Sequence, residues 1–123
     1  MTRAVRILLA EDDKLVMGVI QETLESEGWE VVGCEVGTAA LAEVEGEGRY
    51  DLIITDYHMP GADGLELVRA ARRLARRSGT MIIMLTASSV EGEARAAGVD
   101  LFLRKPDDIG RLAEAVKVLL GAG

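Results

Sequence analysis

Aromatic residues are scarce in this chain: one tryptophan, two tyrosines and one phenylalanine in 123 residues. A core of such composition must be aliphatic, filled by Leu, Val, Ile, Ala and Met. Cysteine is scarcer still. The lone Cys34 excludes an internal disulfide, and its place among Val31, Val32 and Val36 marks a small buried side chain rather than a reactive thiol. With one histidine besides, the sequence offers no zinc constellation. Positive charge is outnumbered, 14 Lys and Arg against 21 Asp and Glu, for a net charge of −7. Phosphate backbones and anionic lipids repel such a surface, so neither nucleic acid nor membrane is expected as a partner. No apolar run reaches bilayer-spanning length and no signal-type stretch opens the chain. It reads as soluble and cytoplasmic.

What is present is enough for one domain over 1–123, since 49% of the residues are hydrophobic and a core of that size needs no staple or metal. Apolar runs of strand length alternate with segments of helical period. Strands are expected at about Val5–Leu9, Glu30–Glu35, Leu52–Thr55, Met81–Leu85 and Asp100–Leu103. Helices are expected at Lys14–Glu27 with Gly28 ending it, from an N-cap at Thr38 to Gly46-Glu47-Gly48, from a capping box at Asp63 and Glu66 to Ser78-Gly79, at Val90–Ala97 with Gly98 ending it, and at Asp108–Leu120. Strictly alternating strands and helices make an α/β fold, a doubly wound parallel sheet of five strands with helices on both faces.

Four strand ends carry chemistry. Ala4–Ala10 runs into Glu11-Asp12-Asp13, Asp51–Thr55 into Asp56, Thr80–Leu85 into Thr86, and Leu101–Leu103, through Arg104, into Lys105-Pro106. In an open parallel sheet these ends meet at the ligand-binding edge. Two carboxylates about 5 Å apart at an effective dielectric near 20 repel by roughly 3 kcal/mol, so a cluster of acids calls for a cation. Oxygen-only ligands select Mg²⁺, with Mn²⁺ also accommodated. Asp56 is the candidate nucleophile toward a phosphoryl donor. Thr86 offers a hydroxyl, Lys105 a compact cation, and Pro106 a candidate cis peptide that would aim the lysine. Taken singly, each has a plainer role: helix-end acids, a turn aspartate, a helix cap, a loop lysine. Their joint placement is what is specific.

With those residues the chain resembles the receiver domain of two-component response regulators. The likeness rests on Ile7-Leu8-Leu9-Ala10-Glu11-Asp12-Asp13, Asp51 through Gly61, Met84-Leu85-Thr86-Ala87 and Lys105-Pro106, and spans essentially the whole chain. It implies a flavodoxin-like sheet of strand order 2-1-3-4-5. It implies that Glu11 and Asp12, with Asp56 and the backbone carbonyl of His58, hold Mg²⁺. Asp56 would be phosphorylated by a sensor histidine kinase or a phosphotransfer protein, and Thr86 and Lys105 would contact the phosphoryl group. Phe102 occupies the family's aromatic switch position. As Thr86 is drawn to the new charge, Phe102 would swing inward and alter the surface of helix four, strand five and helix five that a downstream protein reads.

Two departures from the family pattern bear on that output. Phenylalanine replaces the more frequent tyrosine, so the switch loses a hydroxyl. The stretch from Thr86 to Gly98 is shorter than usual by roughly a helical turn, so helix four is expected to be short. A Mg²⁺-dependent phosphatase is the alternative enzyme reading; such enzymes carry a second acid two residues after the nucleophile, where this chain has His58. A receiver-like scaffold that is never phosphorylated is the other. No output domain is expected after Gly123, which makes the chain a stand-alone regulator or an excised module. Arg69, Arg72, Arg73, Arg76 and Arg77 read as a solvated helix face, and Trp29 and the methionines as packing residues.

Overall fold

In the computed structural model, which describes residues 4–121, the strands β1 (Arg6–Ala10), β2 (Glu30–Cys34), β3 (Leu52–Thr55), β4 (Met81–Thr86) and β5 (Leu101–Arg104) form one parallel sheet in the order β2-β1-β3-β4-β5. The expected domain of 1–123 includes residues 1–3 and 122–123, which lie outside the described residues. The helices are α1 (Lys14–Glu25), α2 (Gly37–Glu45), α3 (Gly64–Arg73), α4 (Glu91–Ala97) and α5 (Leu112–Leu120), with 3₁₀ turns at Ala75–Arg77 and Ile109–Arg111. The doubly wound α/β architecture and its strand order are those expected from the sequence.

Strand alternation sorts the core into two layers. Leu8, Ala10, Ile53, Ile82 and Met84 point toward α2, α3 and α4. Ile7, Leu9, Leu52, Ile54, Ile83 and Leu85 point toward α1 and α5. Both faces of the central strands are thereby buried, which is why these runs carry no polar alternation. Each such aliphatic side chain contributes about 1.5–3 kcal/mol by leaving water. Cys34, Met17 and Met84 are buried, and Trp29 packs half-buried against the α1–α5 layer.

Local signals set most helix boundaries. Asp63 and Glu66 make the reciprocal capping box at the start of α3, and Gly98 ends α4 in the left-handed conformation at φ +116°. Gly28 likewise has φ +89°, although α1 already ends at Glu25. Three further boundaries differ from expectation. Thr38 does not cap α2: the helix starts at Gly37 after Val36, and the Gly37 N–H is satisfied by the Pro60 carbonyl at 2.8 Å. A long-range partner replaces the local one. The fifth helix opens with a 3₁₀ turn, so its α-helical part begins at Leu112 rather than Asp108. The third helix breaks at Leu74 instead of reaching Ser78-Gly79.

That break overturns the reading of the arginines as one solvated face. Arg69 and Arg73 are exposed, but Arg77 is only 2% exposed. Its guanidinium donates to the carbonyls of Val44 (3.0 Å), Glu43 (3.0 Å), Gly46 (3.1 Å) and Gly48 (2.6 Å). Arg76 donates to the carbonyls of Glu45 and Gly46. The end of α2 lacks a left-handed cap, since Gly46 is extended, so its last carbonyls need outside donors. Arg72 plays the same part elsewhere, bonding the Gly98 and Thr80 carbonyls and the Asp100 carboxylate, each at 2.9 Å.

Candidate functional site

The register of the sheet brings the chemistry-bearing strand ends to one edge. Ala10 pairs with Thr55 and with Cys34, and Thr86 pairs with Arg104. The next residues, Glu11 and Asp56, therefore sit side by side, and the Lys105 side chain reaches them from β5 across the end of β4. Main-chain bonds continue the ladder into the site: Asp56 N–H to the Ala10 carbonyl (3.0 Å), Glu11 N–H to the Cys34 carbonyl (3.0 Å) and Lys105 N–H to the Thr86 carbonyl (3.1 Å). Backbone this restrained holds the side chains with little freedom.

Glu11, Asp12 and Asp56 each present a carboxylate oxygen within 4.8 Å of the others. Glu11 is buried at 2% exposure, and Asp12 is open to solvent. Burial pushes the Glu11 carboxyl above its ordinary value, against the opposing pull of Lys105 and the Asp13 N–H. Asp13, the third acid of the run, is separated from this cluster by its role as the N-cap of α1, where it accepts from the N–H groups of Leu15 (2.9 Å) and Val16 (3.2 Å).

The Asp56 side chain keeps 11% of its surface exposed, enough for a reactant to reach it. Its Oδ1 accepts from the Tyr57 N–H at 2.6 Å, and its Oδ2 receives the Lys105 ammonium at 2.6 Å. Lys105 also ion-pairs with Glu11. Burial alone would lower the lysine, but its hydrogen bonds to Asp56 and Glu11 outweigh that and carry it above its ordinary value. The Lys105–Pro106 peptide is cis, as the sequence allowed. The double ion pair was not foreseen: the acids nearest to Lys105 along the chain are Asp107 and Asp108, and only the sheet brings Glu11 and Asp56 to it.

Thr86 is buried beside the site, and its Oγ1 accepts from the Ser88 N–H at 3.2 Å. The hydroxyl proton stays available for donation. His58 is exposed, its ring edge-on to Tyr57 at 4.6 Å between centroids. Phe102 stands at the aromatic switch position on β5. It is already inside, 7% exposed in the α2–α3–α4 layer with the Arg104 guanidinium 5.4 Å above its ring. A phenyl ring has no hydroxyl to satisfy, so its burial strands no polar group. Sequence reasoning also passed over Asp108, whose carboxylate accepts from the Arg104 N–H at 2.8 Å and closes the turn carrying Lys105.

An acid trio, a paired lysine and a buried hydroxyl at the carboxyl edge of a 2-1-3-4-5 sheet match one family. The response regulator receiver domain model covers residues 7–117. This chain belongs to the receiver domain family. It is 36% identical to the sensor protein GacS of Pseudomonas syringae pv. syringae over 94% of its own length, though it spans only 13% of that protein. It is 32% identical to the chemotaxis protein CheY1 of Helicobacter pylori, covering 94% of this chain and 97% of that one. Among solved structures, the receiver domain of the sensor histidine kinase PA1611 of Pseudomonas aeruginosa PAO1, which carries a magnesium ion in its active-site cleft, superposes at a TM-score of 0.85 with 30% identity, covering 97% and 99% of the two chains. Receiver domains are the phosphoacceptor switches of two-component signalling, and no observation on this one favours the phosphatase alternative. Among the described residues of the receiver domain, no helix is long and apolar enough to cross a membrane.

Proposed function

We propose that Asp56 is the phosphoacceptor, that Glu11, Asp12, Asp56 and the backbone carbonyl of His58 hold Mg²⁺, and that Thr86 and Lys105 receive the phosphoryl oxygens. The observation that carries this is the closeness of three carboxylates to one ammonium. With all three acids ionised, one lysine leaves two negative charges uncompensated. Two charges and an oxygen-only donor set fit a hard dication, Mg²⁺ or Mn²⁺. When bound, the ion screens Asp56 from the negative charge of an incoming phosphoryl group.

The reaction follows from the chain's own groups. An Asp56 carboxylate oxygen attacks the phosphorus of a phosphohistidine on a sensor kinase or phosphotransfer protein. The P–N bond breaks, the imidazole leaves, and an acyl phosphate forms. The Tyr57 N–H keeps the carboxylate oriented throughout. Lys105, released from Asp56, pairs with the phosphoryl oxygens, and Thr86 donates its free hydroxyl proton to them. Moving Thr86 breaks its bond with Ser88 and so displaces the β4–α4 turn. The change reaches the surface through that turn and through Phe102 at the switch position on β5. The α4–β5–α5 surface then changes for a downstream protein in the cytoplasm. Acetyl phosphate with Mg²⁺ should add one phosphoryl group by intact mass, and Asp56→Asn should abolish the gain. Labelling that survives in Asp56→Asn would show another nucleophile.

A further inference from the structure

The turn that leads from Asp56 to α3 is gripped from a helix that contributes no acid to the site. At the first residue of α2, the Gly37 N–H donates to the Pro60 carbonyl at 2.8 Å. A Cβ on Gly37 would lie 1.8 Å from the Ala62 carbonyl oxygen and 2.7 Å from its carbon, both of them backbone atoms that cannot rotate aside. One residue on, Thr38 packs so closely on Gly61, itself at φ +88°, that a Cβ there would stand 2.6 Å from the threonine methyl. Ala62 is buried beneath this contact. At the far end of the turn, Gly64 donates to the Tyr57 carbonyl at 2.8 Å, and a Cβ on Gly64 would be 2.2 Å from the Asp56 carbonyl oxygen. The segment carrying Asp56 and the His58 carbonyl is thus wedged between two helix starts, each of which must be glycine for reasons of space.

We propose that Gly37 is a positioning residue for the metal and phosphoryl site. Its closeness sets how near the 57–62 turn lies to α2, and hence where the His58 carbonyl and the Asp56 carboxylate stand relative to Glu11 and Asp12. Any side chain at Gly37 pushes the turn away from α2. The acids remain, but their spacing no longer suits one ion. Outer residues that orient metal ligands commonly govern affinity in this way. The inference rests on the reading of the acid cluster as a Mg²⁺ site.

The test is Mg²⁺ titration of the apo protein by calorimetry, comparing the unmodified chain, Gly37→Ala and Gly18→Ala. Gly18 is the control because a Cβ there meets nothing within 4 Å. Gly37→Ala should bind Mg²⁺ roughly 10-fold more weakly, with Gly18→Ala unchanged. A second readout needs no variant and covers a Gly37→Ala chain that fails to fold. In the unmodified protein, the amide resonances of Gly37 and Thr38 should move during the titration with the midpoint of Asp12 and Asp56, while Glu45 at the other end of α2 stays still. Equal Mg²⁺ affinity in Gly37→Ala, or amides at Gly37 and Thr38 that ignore the ion, would overturn the inference and leave the site intact. An unmodified chain that binds no Mg²⁺ would remove both.

Discussion

Tyr50 shows how a single buried group writes a pH dependence into the fold. Its hydroxyl donates to Glu43 Oε1 at 2.6 Å, and its ring lies under the guanidinium of Arg6 at 4.7 Å and of Arg77 at 5.3 Å. Burial, then the bond to Glu43 and the charge of that acid, push the phenol from 10.0 up to about 12. In the unfolded chain it ionises near its ordinary value, so between the two the folded state holds a proton that the unfolded state has lost. Stability is therefore fully present below pH 10 and falls as pH rises toward 12, by about 3 kcal/mol at most. Urea midpoints measured across that window should drop less in Tyr50→Phe than in the unmodified protein. An equal drop would assign the loss to other groups. At the site itself, the single Lys105 ammonium is shared between Glu11 and Asp56 and offsets one of their two charges.

Among the elements, α2 depends most on help from outside. Its N-terminal N–H of Gly37 is satisfied by Pro60 and its C-terminal carbonyls by Arg76 and Arg77. Arg77→Ala would strand the buried Val44 carbonyl and take a donor from the half-buried Glu43 and Gly46 carbonyls and the exposed Gly48 carbonyl. Each unmet group costs about 1–3 kcal/mol, so a total loss of about 3–5 kcal/mol is expected with partial recovery through water. The exposed Arg73→Ala should change stability by no more than about 0.5 kcal/mol. Urea denaturation of the two variants separates them, and similar midpoints would contradict the bonding described. The sequence shows five arginines at helical spacing and nothing that tells Arg77 from Arg73. The difference comes from the break at Leu74, which turns the following residues toward the C-terminal end of α2. By contrast, the start of α3 was legible, because Asp63 and Glu66 cap each other within one turn of chain. Helix α4 was legible too, its seven residues agreeing with the shortened stretch before Gly98.

For the whole molecule, the acid cluster couples ion binding to folding. The folded state gathers Glu11, Asp12 and Asp56, while the unfolded chain disperses them, so Mg²⁺ should stabilise only the former. At ten times its Kd the gain is about 1.4 kcal/mol. Thermal or urea midpoints should rise with Mg²⁺ in the unmodified chain and stay flat in Asp12→Asn. A midpoint that rises equally in both would place the ion elsewhere.

The sequence by itself determined the strands, their two buried faces and the polar residues at their ends. These follow from periodicity, and period is set by backbone geometry within a few residues. It also singled out Asp56, Glu11, Asp12, Thr86 and Lys105 as candidates, grouped by their joint placement at strand ends, and the resemblance gave each its role. The tertiary structure alone decided that Lys105 bridges Glu11 and Asp56, that Phe102 lies inside, and that Arg77 is buried while Arg73 is not. Each of those outcomes depends on which groups a neighbouring element presents across the sheet. A charge or a ring takes the partner that best repays its lost water, and that partner lies tens of residues away along the chain.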